Sequence, residues 1–332
     1  MIFAPIIIPT LCRYEHFNKC IESLIRNSYA SKTDIYVALD YPTTKKHLDG
    51  YNKIKDYLSS NSFDMFASFN VIIREKNYGA YLNEKKLIYE EIMPKYDAWI
   101  RTDDDIIFSP NFIEYIDKCL TMYENEEDII AVAGYSYPCD YLSGNATVVK
   151  QRVYAPMWGT GFWKKKYNTI SKLIEDDLYL YRNFDDNVRK KKYKNLINAR
   201  LLDFVYLGLS WKPQPLLCCM TDVAISTFSG LEQKYIVIPT ISKVKNNGFD
   251  GSGINCQTDF YYNFGNQVID ECDSFEIIDN NINPKIIENK INQFDFRRKV
   301  DVMKAKLKLC VYKLIGKKMY KKLWHLINGK KE

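Results

Sequence analysis

Short apolar runs alternate with amphipathic stretches through the first hundred residues. Residues 3–8 are continuously apolar and end at Pro9-Thr10, which predicts a buried strand. From 16 to 26, Phe17, Cys20, Ile21, Leu24 and Ile25 share one helical face. Strands are then expected at 35–39, ending at Asp40, and at 69–73, followed by the polar turn 74–79. Helices are expected at 48–59 and 81–93. A fourth strand, 98–101, runs straight into Thr102-Asp103-Asp104-Asp105. This β-α-β-α-β-α-β order with short connections predicts an α/β fold, a mostly parallel central sheet flanked by helices. Ligands of such sheets sit beyond the carboxyl ends of the strands. Those ends carry Thr10, Asp40, Arg74 and the three aspartates.

The second half is less regular. After 106–108, Ser109-Pro110 predicts a helix from about Asn111, with the proline at its first position. Residues 129–133 read as a strand and 135–150 as irregular chain. Residues 155–162 lead through Met157-Trp158-Gly159-Thr160-Gly161-Phe162-Trp163, and 164–204 is charged and helix-prone. Residues 215–222 precede a helix-like stretch to about 232, a strand at 235–238 and a glycine-rich loop at 246–253. From Phe296 the pattern changes. Val300, Met303, Leu307, Val311, Leu314, Met319, Leu323 and Leu326 recur at helical spacing with lysines between them, and Gly316 is placed to divide the run. The expected organisation is a catalytic domain over 1–270, a connecting segment over 271–295 and a basic amphipathic helical tail over 296–332.

Charge sharpens that division. The net charge is +6. Residues 297–332 hold thirteen Lys or Arg and two Asp or Glu, which is +11 and leaves −5 for the first 296. A nucleic-acid binder would carry its positive charge on the folded body, so no nucleic-acid partner is expected. A basic amphipathic helix suits an anionic membrane surface instead. No run approaches the roughly 20 apolar residues of a membrane span. Residues 2–9 lack the basic leader of a signal peptide. The nine cysteines show no CxxC pair, which suits reduced thiols. The expected location is cytoplasmic, peripheral on the cytoplasmic face of the inner membrane. The histidines at 16, 47 and 325 form no ligand set, and His16 reads as a helix start. No GxGxxG, GxxxxGK[ST] or GxSxG occurs, which leaves dinucleotide, P-loop and α/β-hydrolase chemistry unsupported.

The triplet is the sharpest chemical signal. Adjacent carboxylates at a strand end repel by roughly 3 kcal/mol per pair at 5–6 Å and an effective dielectric of 20. Mg²⁺ or Mn²⁺, which prefer hard oxygen ligands, would offset this. A solvated acidic turn ahead of the next helix is the competing reading.

The ordered set Pro9-Thr10, Asp40, Arg74…Asn77-Tyr78-Gly79, Trp99-Ile100-Arg101-Thr102-Asp103-Asp104-Asp105 and Ser109-Pro110-Asn111-Phe112 resembles GT-A fold glycosyltransferases. The nearest likeness is to bacterial family-2-type enzymes of surface polysaccharide synthesis, with a distant likeness to N-acetylglucosaminyltransferase I. It covers roughly residues 3–265. The family carries Glu-Asp-Asp or Asp-x-Asp where this chain has three aspartates. By position, the resemblance implies that Thr10 and Arg13 meet the nucleotide and Asp40 accepts from its base. Asp103 and Asp104 would approach ribose and sugar, and Asp105 would hold the metal, Mn²⁺ or Mg²⁺. Arg74 pairs with a phosphate or another carboxylate, and Asn77 lies in the same turn. Trp158, Gly159 and Gly161 match a segment lining the donor and acceptor pocket. Glycines there let backbone approach a ligand, and aromatic faces pack on sugars. Asp222 matches the catalytic base of inverting relatives, although Thr221 stands where they carry a tryptophan or an acid. A plain helix-terminal acid is its other reading, and Asp250 is the alternative base. The loop 246–253 resembles the segment that closes over the donor.

The expected activity is thus metal-dependent transfer of a sugar from a nucleotide sugar to a glycan hydroxyl, with inversion. A lipid-linked surface-polysaccharide precursor is the expected acceptor. One rival is a sugar nucleotidyltransferase, opposed by the absence of glycine from residues 9–14. The other is a non-catalytic subunit of glycan assembly, opposed by the intact acids.

Overall fold

The computed structural model describes residues 1–174, 221–252 and 267–294, with scattered positions between 307 and 326. The central sheet has eight strands in the order β3-β2-β1-β4-β8-β6-β9-β7. They are β1 (Ile6–Thr10), β2 (Asp34–Leu39), β3 (Ser68–Ile73), β4 (Ala98–Arg101), β6 (Ile129–Ala133), β7 (Val148–Gln151), β8 (Thr160–Trp163) and β9 (Tyr235–Pro239). Two short strands, β5 (Ile106–Phe108) and β10 (Val244–Asn246), form a separate antiparallel ribbon. Pairings β3-β2, β2-β1, β1-β4 and β6-β9 are parallel. Strand β8 runs antiparallel to both neighbours, and β7 runs antiparallel to β9. The result is the mixed, mostly parallel α/β sheet flanked by helices that the alternation predicted.

Parallel strands buried on both faces need unbroken apolar runs. Ile6, Ile7 and Ile8 are wholly buried, as are Ile35, Val37, Ala38 and Leu39. Helix α1 (Tyr14–Ile25) covers one face through Phe17, Cys20, Ile21 and Leu24. Helices α2 (Lys45–Ser60) and α3 (Gly79–Lys86) complete the two following crossovers, and α3 continues as a wide π turn, Leu87–Ile92. On the far side, α4 (Phe112–Met122) buries Phe112, Ile113, Tyr115, Ile116, Cys119 and Leu120. Helices α5 (Lys164–Ile174) and α6 (Thr221–Leu231) follow.

The sheet opens where it matters. Strand β1 feeds α1 and returns to β2 on one side, while β4 lies on its other side. Its register with β4 reaches only Ile7–Arg101, whereas its register with β2 runs on to Thr10–Leu39. Pro9, which has no N–H to give, therefore sits where β4 has already departed. Thr10 and the triplet after β4 flank this crevice, the place where open α/β sheets hold their ligands.

Several expectations shift. The first strand is Ile6–Thr10, not 3–8, because residues 2–4 are held by α4: Ile2 N–H donates to Thr121 Oγ1 at 2.8 Å and Ala4 N–H to Asp117 Oδ1 at 3.1 Å. Pro110 does not begin a helix. Asn111 occupies the cap position, and the Pro110 carbonyl accepts from Ser28 N–H. The stretch 135–150, read as irregular, ends in β7. Residues 271–295, expected as a connecting segment, pack on the sheet: helix α7 (Pro284–Phe294) lies against β7 and buries Ile287 and Ile291. Of the region 164–204, residues 175–204 lie outside the described residues, as do 215–220 and Gly253. Six cysteines are described and all are free. Among the described residues, no helix is long and apolar enough to cross a membrane.

Asp117 is fully buried on α4, and its Oδ2 has no partner among the described residues. Burial pushes its carboxyl up to about 8. The folded chain therefore keeps a proton that the unfolded chain loses near pH 4, and stability falls as pH rises from about 4 to about 8. Asp117→Asn should remove that slope. Between pH 5 and 8 the variant should gain on the order of 2–4 kcal/mol relative to the parent. Urea midpoints at the two pH values measure this, and parallel pH dependences would contradict it.

Candidate active site

The acidic triplet lies in the turn between β4 and β5, and each aspartate has a different partner. Asp103 is the most exposed and places both oxygens on Arg101, at 2.7 Å to Nη2 and 3.2 Å to Nη1. Asp104 is buried; its Oδ2 accepts from Thr10 Oγ1 at 2.7 Å and its Oδ1 pairs with Arg13. Asp105 is buried too. Its Oδ2 pairs with Arg13 Nη1 at 2.8 Å, while its Oδ1 is shielded from solvent without a hydrogen-bond partner among the described residues. Thr10 and Arg13 reach these acids because β1 and β4 are neighbours with parallel ends.

Arg101 is the hub on the other flank. Its Nε lies 3.2 Å from both oxygens of Glu84 on α3, and its Nη1 donates to the Met157 carbonyl at 3.0 Å. It ties the triplet to the aromatic segment before β8. Asp222 stands in the field of Arg101 and Asp103. The described cluster thus sets five carboxylates, Glu84, Asp103, Asp104, Asp105 and Asp222, against two guanidinium groups, Arg13 and Arg101. Burial raises the carboxyls of Glu84, Asp104, Asp105 and Asp222 above their ordinary values, and Asp103 pushes each further.

Asp222 opens helix α6. Its Oδ1 accepts from Val223 N–H at 2.8 Å, so it does serve the helix terminus. Its Oδ2 accepts from Tyr154 Oη at 2.5 Å, and the Tyr154 carbonyl accepts from Tyr137 Oη at 2.8 Å. Asp250 differs. Ser252 and His16 stabilise its anion, its side chain is half exposed, and its carboxyl is held below the ordinary range. That makes it a weak proton acceptor.

The loop after β10 lies directly on the acids. Asn247 N–H donates to the Asp105 carbonyl at 2.8 Å, and Gly248 N–H to Asn246 Oδ1 at 2.7 Å. A Cβ on Gly248 would stand 2.2 Å from Asp105 Oδ2, so only glycine fits there. The Phe249 ring meets Trp158 edge-on at 6.0 Å, and Trp158 meets Tyr135 at 5.2 Å. His16 latches the far end: its Nε2 is 2.9 Å from Asp250 Oδ2 and 3.3 Å from Ser252 Oγ.

Other expected contacts sit elsewhere. Asp40 is buried, with its oxygens accepting the N–H groups of Tyr41, Tyr78 and Gly79, so it anchors the start of α3 rather than facing a base. Arg74 is buried against Asn83, 2.9 Å from its Oδ1, and its Nη1 lies 3.8 Å from Glu90 Oε2, so of the two expected partners the structure pairs it with a carboxylate. Asn77 is exposed and donates to the Tyr41 carbonyl at 2.6 Å. Gly159 has φ +57° and packs on Phe112, and a Cβ on Gly161 would meet Ile116 at 2.8 Å. Internal packing against α4, rather than approach to a ligand, explains both glycines.

Sequence reasoning passed over Arg101, Glu84, Tyr154, His16 and Lys243. Arg101 and Glu84 could have been paired from an arginine ending one strand and a glutamate on the helix before it. His16 and Asp250 are 234 positions apart, and no local pattern links them. Lys243 is buried on Asp270, with Nζ 2.9 Å from Asn111 Oδ1 and 4.4 Å above the Phe275 ring. It fixes the strand that carries the loop.

No family model and no curated protein matches the chain. Solved structures overlap it in part. TarS of S. aureus is 12% identical over 54% of this chain and 32% of its own, with a TM-score of 0.34. TarS 1–349 in complex with UDP is 13% identical over 55% and 54%, at 0.35. The mannosyltransferase PcManGT of Pyrobaculum calidifontis, in complex with GDP-Man and Mn²⁺, is 9% identical over 69% of each chain, at 0.40. The chain spans about a third of TarS and half of TarS 1–349. All these scores lie below 0.5, so the chemistry must come from the site itself.

Gly248→Ala tests the seat of the loop on Asp105. Overpacking of this kind costs about 1–3 kcal/mol. Amide exchange of Asn247, whose hydrogen bond ends on the Asp105 carbonyl, should quicken by about tenfold or more. Unchanged protection would mean that the loop does not rest on this carboxylate.

Proposed function

We propose that this chain is a metal-dependent glycosyltransferase acting on a nucleotide sugar. The carrying observation is the buried carboxylate cluster at the sheet's opening, in which Asp105 Oδ1 has no hydrogen-bond partner among the described residues. A buried carboxylate oxygen without a donor is costly. Hard oxygen and surplus negative charge suit Mn²⁺ or Mg²⁺, although no group of three or more His, Cys, Asp or Glu placed to hold an ion is assembled among the described residues. Asp105 would hold it, with Asp104 behind, steadied by Thr10. When bound, the ion would neutralise the charge that builds on the departing diphosphate.

The chain's own groups supply the rest. Arg13 stands at the mouth as the cation nearest an incoming diphosphate. Trp158 and Phe249 offer aromatic walls for a sugar. The loop 246–252 excludes water above Asp105. Asp222 is the general base: burial raises its proton affinity, and Tyr154 and Val223 N–H hold its orientation. It would take the proton of the acceptor hydroxyl as that oxygen attacks the anomeric carbon and inverts it. Because the anion is the active form, rate should rise with pH through a value above the ordinary carboxylate range.

The acceptor in this reading is a glycan, reached at the cytoplasmic face on a lipid-linked precursor. The tail supplies the location. Among its described positions, Leu307, Leu314, Ile315, Met319, Leu323 and Leu326 are exposed, within a segment of net charge +11. Basic helices with an exposed apolar face bind anionic leaflets.

Thermal shift with UDP-, GDP-, dTDP- and CMP-sugars, with and without Mn²⁺, identifies the donor, because ligand occupancy stabilises the native state. Asp105→Ala should abolish the Mn²⁺-dependent part of the shift. Asp222→Asn should keep it while lowering turnover by about 10²–10⁴-fold. The reading fails if no nucleotide sugar is turned over and Asp105→Ala leaves nucleotide binding unchanged.

The tail is tested separately. Each Lys or Arg near an anionic leaflet contributes about 1 kcal/mol. Replacing Lys317, Lys318, Lys321 and Lys322 by Glu should therefore weaken co-sedimentation with phosphatidylglycerol vesicles by about a thousandfold. Equal sedimentation of both proteins would refute membrane association through this segment.

A further inference from the structure

Arg13 stands one residue before α1 and reaches back across the crevice. One terminal nitrogen meets Asp104 and the other meets Asp105, so a single planar fork spans both acids. Its side chain is 23% exposed, against 7% and 5% for the two aspartates. It is therefore the solvent-facing member of a buried triad. Gly248 lies over the same pair, with its Cβ position 3.2 Å from Arg13 Nη1. The guanidinium thus occupies the narrow space between the acids and the loop, while Asp105 Oδ1, on the other edge of the same carboxylate, is buried with no hydrogen-bond partner among the described residues.

We propose that Arg13 is an exchangeable counter-ion: it competes with the divalent cation for the Asp104–Asp105 pair, and the diphosphate of the donor draws it away. This rests on the metal-dependent reading above and adds an order to it. A divalent cation at Asp105 Oδ1 would sit one carboxylate away from the guanidinium. Two like charges so close in a poorly hydrated crevice repel enough to change affinity by orders of magnitude. A nucleoside diphosphate removes the conflict, because its oxygens accept a guanidinium fork as well as a carboxylate pair does. By linkage, nucleotide then raises metal affinity and metal raises nucleotide affinity. The cluster favours such an exchange: among the described residues two guanidiniums face five carboxylates, so a cation is still attracted after Arg13 has paired.

Electron paramagnetic resonance titration of Mn²⁺ alone against the full chain tests this without any turnover. Arg13→Gln should bind Mn²⁺ at least tenfold more tightly than the parent. Arg13→Lys, whose ammonium cannot span both acids, should bind three- to tenfold more tightly. Asp105→Asn, alone or combined with Arg13→Gln, should lose the site. Circular dichroism confirms folding, and if Arg13→Gln does not fold, Arg13→Lys decides. Loss of Mn²⁺ binding in Asp105→Asn with no gain in either Arg13 variant overturns the counter-ion inference and leaves the metal-dependent reading standing. Mn²⁺ binding that Asp105→Asn does not alter overturns both.

Discussion

Negative charge held out of water at the end of β4 is the constraint around which this molecule is arranged. Among the described residues five carboxylates converge there, and two guanidiniums meet them. Each arginine comes from a strand end or the turn just beyond one, and each bridges two acids. Arg13 joins the β1–α1 turn to Asp104 and Asp105, while Arg101 joins β4 to α3 and to the chain before β8. Replacing such a network by apolar side chains would often cost a protein nothing in stability.

The sheet topology explains how the residues of this cluster meet. The parallel half supplies Thr10, Arg13 and the triplet, as the opening between β1 and β4 dictates. The antiparallel β8 then threads between β4 and β6, so the chain just ahead of it, with Met157 and Trp158, enters on the same edge as the acids. Helix α6 presents Asp222 beside that segment, and β10 carries the loop that lies over Asp105.

The first half was legible because period and burial agree there: strands β2, β3 and β4 fall within a residue of their expected bounds. The triplet and its place after β4 were legible for the same reason. Partnerships were not. Asp40 and Arg74 have the residue types of ligand contacts, yet backbone amides and Asn83 absorb them, and no periodicity reports which way a side chain turns. Pro110 carried a helix-start signal, but the true cap, Asn111, is fixed by contacts with Lys243 and Asp270, more than 130 residues away. Asp222 was visible as an acid before a helix, whereas its Tyr154 partner lies 68 positions earlier.

The loop over Asp105 has a consequence for how the chain acquires its activity. It is latched to His16 across 234 positions, and Arg13 meets Asp104 across 91. Contacts of such sequence separation form slowly, because long closures must be completed before they are rewarded. During synthesis the triplet emerges well before the strand that will cover it, and for that interval it is an uncovered knot of acids on a half-built sheet. A chain halted before residue 244 would own its first nine strands, β1 to β9, yet lack the ribbon strand beside β5 and the roof above Asp105. The acids are therefore roofed only once the strand at 244–246 has joined β5 and brought the following loop with it.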